Sequence, residues 1–224
     1  MSSALVIFSG GQDSTTCLFW ARQHFDKVGA VTFDYGQRHH VEVDAARRIA
    51  ELAKVDLEVT DLGLVFKGSS PLTNPSQAVE QYDSPSHLPG GLENTFVPGR
   101  NILFLSVAAN RAWVGGYRTL VMGVGQEDYG GYPDCRQDFI SKMQAALSSG
   151  LDSPLDILTP LMHLSKRQTV ELAATLPGCL DALALSHTCY QGTRPPCMAC
   201  HACLLRQRGF DEAGMTDPLL AACR

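Results

Sequence analysis

The alternation of apolar and polar positions along the chain opens with a short apolar run over residues 4–8, followed at once by glycine, hydroxyl and acidic residues. A run of that length containing Val and Ile predicts a parallel strand buried on both faces. Helical spacing begins a few residues later. Ser14, Thr15 and Thr16 open a helix whose apolar face is Leu18, Phe19, Ala21 and Phe25. The same two periods then recur. Residues 28–34 form a second apolar run, Val41, Ala45, Ile49, Leu52 and Ala53 mark a helix over 40–55, and residues 56–62 alternate as a third strand. A helix is expected over 102–114, a fourth strand over 119–124 and a helix over 138–147. A fifth strand over 156–161 precedes a helix over 165–176 with Ser165 as its N-cap. Strand–helix alternation of this kind implies an α/β fold, a doubly wound parallel sheet with right-handed crossovers. Ligands of such sheets sit beyond the carboxyl ends of the strands. Ser9 and Asp34 fall at such ends; Asp34 reads equally as a strand-end cap and as a nucleotide contact.

Two stretches break the pattern. Residues 67–93 have no period and hold Pro71, Pro75, Pro85 and Pro89. Loops this long in compact domains are functional or disordered, so either a lid over a site or a floppy insertion is expected. Residues 125–136 are glycine-rich, acidic and aromatic at a strand's carboxyl end. Flat aromatics with acids and an arginine suit a planar heterocycle bearing N–H donors and a carboxylate. Asp134 reads equally well as the N-cap of the helix that follows.

The residues after the first strand carry the first chemical signal. Gly10 and Gly11 permit a sharp turn and close approach to a ligand. The helix start beyond them offers unpaired N–H groups to an anion. A Walker-type loop would need a lysine that is absent here. Ser9-Gly10-Gly11-Gln12-Asp13-Ser14 instead resembles the SGGxDS pyrophosphate loop of the ATP pyrophosphatases, which cleave ATP between the α and β phosphates. Asp13 would repel phosphates unless it holds Mg²⁺. Arg100 and Lys166 each stand at a helix start, against the dipole, at a cost of about 0.3–1 kcal/mol. That placement suits a carboxylate or phosphate clamp, although solvated side chains are the plainer reading of both.

Cysteine usage supplies the second signal. Of eight cysteines, Cys17, Cys135, Cys179 and Cys223 are isolated, whereas Cys189, Cys197, Cys200 and Cys203 are clustered. Two overlapping C-x-x-C steps plus a fourth thiol suit tetrahedral Zn²⁺ with no open position, a structural site. His201 is a spare donor beside them, and an Fe–S cluster is the chemical rival. Between Cys189 and Phe210 there is no acid, while Arg194, Arg206 and Arg208 are present. The chain thus reads as an α/β nucleotide-binding domain over 1–180 and a helical zinc-binding module over 181–224. The net charge of −5 argues against broad binding to nucleic acid. No stretch approaches the roughly 20 apolar residues of a membrane span. No basic residue precedes the first apolar run, so a cytoplasmic protein is expected.

Taken together, the chain resembles the 7-cyano-7-deazaguanine synthases of queuosine biosynthesis over nearly its full length. The resemblance rests on FSGGQDSTTCL (8–18), FDYGQRH (33–39), FVPGRNILFLS (96–106), GYPDCR (131–136) and TCYQG (188–192) with its three further cysteines. Two positions depart from it: Gly130 stands where serine is expected, and Met198 where glycine usually follows the cysteine. The resemblance implies an adenine-nucleotide α-hydrolase-like fold and an ATP-dependent reaction. A carboxylate is adenylated, ammonia makes the amide, and a second activation gives the nitrile. It assigns the ATP site to Phe8, Ser9, Gly10, Gly11, Gln12, Asp13, Ser14, Thr15, Thr16, Cys17 and Leu18. Asp13, Ser14 and Lys166 are the catalytic candidates. Arg100, Tyr132, Asp134 and Arg136 are candidates for holding the deazapurine, and Cys189, Cys197, Cys200 and Cys203 for holding one structural Zn²⁺. ATP, Mg²⁺, ammonia and a homodimer are implied, and nucleic acid is not expected as a direct substrate. A tRNA sulfur-transferase sharing the loop and a zinc-dependent RNA-binding protein are the competing readings. The first needs a reactive cysteine, for which Cys135 is the candidate. Replacing Cys135 by Ser should leave nitrile formation largely intact and would abolish thiolation, an outcome read by mass spectrometry of the products.

Overall fold

The computed structural model describes residues 1–38, 40–66, 68, 70–88, 92–125 and 132–223. Among them five strands pair in parallel: β1 (Ser3–Ile7), β2 (Lys27–Asp34), β3 (Asp56–Asp61), β4 (Thr119–Met122) and β5 (Asp156–Leu158). Their order across the sheet is β3-β2-β1-β4-β5. Ala4 of the central strand pairs with Val28 on one side and Thr119 on the other. The longer helices are α1 (Gln12–His24), α2 (Val41–Ala53), α3 (Arg100–Gly115), α4 (Gln137–Gly150) and α5 (Lys166–Thr175). The C-terminal part adds α6 (Cys179–Leu185), α7 (His201–Glu212) and α8 (Pro218–Ala222).

The side-chain period of two sends β1 residues to opposite faces, and both faces are covered. Ala4, Val6 and Phe8 meet Leu18 of α1, Ile49 of α2, Val170 of α5, Leu183 of α6 and Phe210 of α7. Leu5 and Ile7 meet Leu105 and Ala109 of α3 and Ile140 of α4. This is the doubly wound sheet that the sequence predicts. Element ends differ in ways with physical causes. β4 stops at Met122 because Gly123 runs against the backbone of α1; a Cβ there would lie 2.9 Å from the Asp13 carbonyl carbon and the Ser14 nitrogen. α1 begins at Gln12 and α3 at Arg100, each two residues before the expected start. The short α6 and α8 have too few turns to show a period, and sequence patterning missed them. Ser165 is the N-cap of α5, with Gln168 completing a capping box. Among the described residues no helix is long and apolar enough to cross a membrane.

The insertion between β3 and α3 is packed down over its described residues. The Arg38 guanidinium donates to the carbonyls of Asn74, Pro75 and Gln77. Leu72, Val79 and Val97 bury themselves against Cys189, Cys200 and Cys203. The Tyr82 N–H donates to the Ala199 carbonyl at 2.8 Å. The described insertion residues therefore form a third, small core with the cysteine segment.

The C-terminal tail, which had no legible role, is anchored by a buried ion pair. Arg206 on α7 makes a bidentate contact to Asp217, with both N–O distances at 2.7 Å. It also donates to the hydroxyls of Ser186 and Thr188 and to the Leu183 carbonyl. Every guanidinium nitrogen has a partner, so α6, α7 and α8 are tied through one side chain. Asp217→Ala should leave that buried charge uncompensated and cost about 3–5 kcal/mol in urea unfolding.

Candidate active site

The chain leaves β1 for β2 on one side of the sheet and returns from β3 to β4 on the other. The strand order thus reverses beside β1 and β4, and a crevice opens at their carboxyl ends. A cavity of about 270 Å³ lies there, with one wall from residues 7–14 and another from residues 122–125.

The phosphate-sized end is built by the turn after β1. Gly10 has φ of +81°, and a Cβ on it would fall 2.7 Å from backbone atoms of Ala46 and Glu42. Only glycine lets α2 pack this close. The hydroxyls of Ser9 and Ser14 lie 3.0 Å apart, and the Ser9 and Gly11 N–H groups bond to Ser14 Oγ and Ser9 Oγ. The N-cap of α1 is Gly11, which has no side chain to cap it. The first-turn N–H groups are thus left for an anion. Asp13 Oδ2 accepts from Lys166 Nζ at 2.7 Å, and the Lys166 side chain is buried. Asp13 Oδ1 is buried with no hydrogen-bond partner among the described residues. An unsatisfied carboxylate oxygen beside an anion cradle fits a divalent cation such as Mg²⁺.

Of the run assigned to ATP, the cavity takes Phe8, Ser9, Gly11, Gln12, Asp13 and Ser14. Thr15, Thr16, Cys17 and Leu18 are fully buried on α1 and lie outside the cavity lining. Burial raises the thiol of Cys17, helped by Asp13, and pushes that of Cys179 up to about 12. Neither is a thiolate nucleophile. Asp34 caps its strand end, taking the Gly36 N–H and the His40 ring, and lies outside the lining.

The same cavity is lined by Arg100. Its guanidinium hydrogen-bonds Tyr35 and lies near Tyr190 and Tyr132. Burial opposes its charge and the neighbouring tyrosines favour it, with a net rise in its pKa. Tyr132 lines the cavity beside it. Asp134 does not line the cavity. Its carboxylate accepts the Asn101 N–H at 3.3 Å and so caps α3, whose own N-cap, Gly99, has no side chain. The capping reading of Asp134 thus holds for a different helix from the expected one: α4 has Arg136 as its N-cap. Burial raises the Asp134 carboxyl pKa, with Arg100 opposing. Arg136 is exposed and also lies outside the lining. Gly130 and the acidic and aromatic positions 127–129 lie outside the described residues.

The third wall comes from the cysteine segment. The four Sγ atoms of Cys189, Cys197, Cys200 and Cys203 lie within 4.8 Å of one another. Zn–S bonds of about 2.3 Å in a tetrahedron put sulfurs about 3.8 Å apart, so the set fits one Zn²⁺. The Cys197 and Cys200 N–H groups point at Cys189 Sγ and Cys197 Sγ, at 3.4 and 3.3 Å. Hydrogen bonds from Cys200 and Cys203 lower the Cys189 thiol pKa. His201 is not in the cluster; its Nε2 sits 2.9 Å from Glu93 Oε1. Met198 has φ of +58°, in the left-handed region, which explains the preference for glycine there. Around this cluster Thr188, Tyr190, His201, Ala202, Leu205 and Arg206 face the cavity. Sequence reasoning missed Tyr35, Tyr190, Gly123 and Glu93. Tyr35 and Tyr190 each had a signal, lying inside the runs 33–39 and 188–192 that carry the resemblance.

Fold and site together define an α/β protein with a doubly wound parallel sheet, an anion cradle at its switch point and a four-cysteine cluster able to hold a metal ion. A family model described as queuosine biosynthesis protein QueC matches residues 3–214. The chain belongs to the QueC family. It is 52% identical to a protein of Chromobacterium violaceum named 7-cyano-7-deazaguanine synthase, covering 99% of this chain and 94% of that one. A protein of the same name from Laribacter hongkongensis is 50% identical over 97% of this chain and 93% of its own. Among solved structures, a predicted subunit of tRNA methyltransferase from Methanocaldococcus jannaschii shares the fold at a TM-score of 0.52 and 16% identity, covering 78% of this chain and 75% of that one.

The close passage of β4 over α1 gives a direct test of the cradle. Gly123→Ala should push the strand end off the helix start, costing about 1–3 kcal/mol of stability. Calorimetry with pyrophosphate as the anion probe should show binding at the cradle weakened at least tenfold.

Proposed function

We propose that the chain converts 7-carboxy-7-deazaguanine and ammonia, with ATP, into 7-cyano-7-deazaguanine. The observation that carries this is one cavity lined both by an anion cradle and by a half-buried guanidinium among tyrosines. Relatives at about half identity over nearly the whole chain bear the matching name.

The reaction asks for position and charge rather than a covalent nucleophile. Arg100 orients the substrate carboxylate toward the α-phosphorus of ATP. A carboxylate oxygen attacks that phosphorus, the bond to the β-phosphate oxygen breaks, and pyrophosphate leaves. Ser9, Ser14 and the first-turn N–H groups of α1 receive the pyrophosphate charge. Lys166, held by Asp13, faces the same phosphates. Ammonia then adds to the acyl carbon and AMP departs with the C–O electron pair, giving the amide. The amide oxygen repeats the attack on a second ATP. Loss of AMP and of the nitrogen-bound protons leaves the nitrile.

Asp13 would hold Mg²⁺, which supplies positive charge to the phosphates. Cys189, Cys197, Cys200 and Cys203 would hold Zn²⁺, whose part is to fix the cavity wall. Residues 1–180 form the nucleotide-binding unit and 181–224 the metal module in this reading. The exposed Ile102, Trp113 and Val114 on α3 suit the interface of a homodimer.

Purified protein with ATP, Mg²⁺, ammonium and 7-carboxy-7-deazaguanine should yield the nitrile and AMP, read by mass spectrometry. Lys166→Met should retain the fold by circular dichroism and lose AMP formation at least 100-fold. Failure of the unaltered protein to make AMP from this acid would refute the assignment.

A further inference from the structure

We propose that Tyr132 reads the donor edge of the bound heterocycle, N1–H and the 2-amino group, purely as an acceptor, with Glu93 and Thr95 as positioning residues that fix the direction of its hydroxyl proton. The inference rests on the proposed function and specifies how the same cavity recognises its substrate.

The argument is one of hydrogen counting. The Glu93 side chain is 2% exposed, and its Oε1 lies 2.9 Å from His201 Nε2. Its Oε2 receives the Thr95 hydroxyl at 3.0 Å. A carboxylate has no proton to give, so Thr95 is the donor in that contact. Thr95 Oγ1 is also 2.6 Å from the Tyr132 hydroxyl. Threonine has a single O–H, and Glu93 has taken it. Tyr132 must therefore donate to Thr95. Burial pushes the Tyr132 hydroxyl up to about 12, so it keeps its proton at neutral pH. That proton is committed to the wall, and what Tyr132 offers the cavity is a lone pair.

An isolated tyrosine hydroxyl rotates and serves either donor or acceptor. Here the choice is removed by a carboxylate two bonds back in the chain of contacts. The 7-deazaguanine ring has donors at N1–H and the 2-amino group on one edge and at N9–H on another, and acceptors at O6, N3 and the carboxylate; the edge bearing N1–H and the 2-amino group is the one assigned to Tyr132. A fixed acceptor pairs with the donor edge and repels the carboxylate, which the Arg100 guanidinium then takes. A ring lacking the donors leaves the buried Tyr132 oxygen unpaired, and that loss gives selectivity. Glu93 comes from the insertion and His201 from the metal module, so both elements set the polarity of the wall.

The test is binding to the metal-loaded protein, by calorimetry, of two acids. One is 7-carboxy-7-deazaguanine; the other is 7-deazapurine-7-carboxylic acid, which lacks both N1–H and the 2-amino group. Tyr132→Phe should weaken the first about tenfold and leave the second unchanged. Thr95→Val should erase the preference between the acids in the same way, because the Tyr132 proton loses its fixed partner. Thr95→Ser, which keeps the hydroxyl, should restore it. If the unaltered protein binds the guanine acid and Tyr132→Phe weakens both acids equally, or neither, Tyr132 does not read the edge bearing N1–H and the 2-amino group, and this inference is wrong while the function stands. That comparison decides even if Thr95→Val does not fold. If the unaltered protein binds neither acid, the function itself falls and this inference with it.

Discussion

Four sulfurs must converge on one point, and half of the cavity depends on that constraint. Cys189 brings Tyr190 with it, and Cys200 brings His201 at the start of α7. His201 meets Glu93, and Glu93 holds the Thr95–Tyr132 contact. The insertion has its apolar residues packed on the same cysteines. Structural zinc in small modules contributes about 10–16 kcal/mol, comparable with the 5–15 kcal/mol stability of a whole domain. With zinc in place, the cysteine cluster would be a strong enough fixture to hold a cavity wall that has little regular structure of its own. The His187 N–H, bonded to the Gly10 carbonyl at 2.9 Å, carries the registration on to the phosphate turn.

Two cations, the buried Lys166 and the half-buried Arg100, stand at helix starts, where the macrodipole disfavours them. Each is matched by a carboxylate from elsewhere in the chain. Arg100 opens α3, and Asp134, capping that helix, offsets it. Lys166 opens α5, and Asp13 on α1 offsets it at 2.7 Å. The cost of each placement is thereby reduced without removing the charge from the cavity. In the proposed reaction two anionic substrates, a nucleotide and a carboxylic acid, are brought together against their mutual repulsion. Cations held in a water-poor crevice by distant carboxylates do that with little rearrangement.

Periodicity carried the sheet and its five main helices because those elements bury long, regular faces. The glycine turn and the cysteine spacing were legible for a related reason: each is a local run whose chemistry is set by close neighbours in sequence. What stayed hidden was made by distant partners. Asp134 reads as a cap for the helix that follows it, yet it caps one more than 30 residues earlier in the chain. Glu93 lies at the end of an aperiodic insertion, and nothing near it in sequence indicates that it will be buried against His201. Asp217 sits in a tail of ordinary composition and satisfies the Arg206 fork. Such pairings follow from the tertiary packing of irregular segments, which has no period to detect.

The departure at Met198 shows how the two kinds of information meet. In sequence it is an unexplained exchange of glycine within a metal-binding run. In the structure its backbone is left-handed at φ +58°, where a side chain costs roughly 1–2 kcal/mol. The turn survives because its geometry is imposed from outside: Cys197 and Cys200 on either side are both tied to the sulfur cluster. A local conformational penalty is tolerated where a stronger constraint dictates the backbone. The same reasoning explains why the glycines at positions 10 and 123 are different. There the limit is another backbone less than 3 Å from the missing Cβ, and no binding energy at the metal can relieve it.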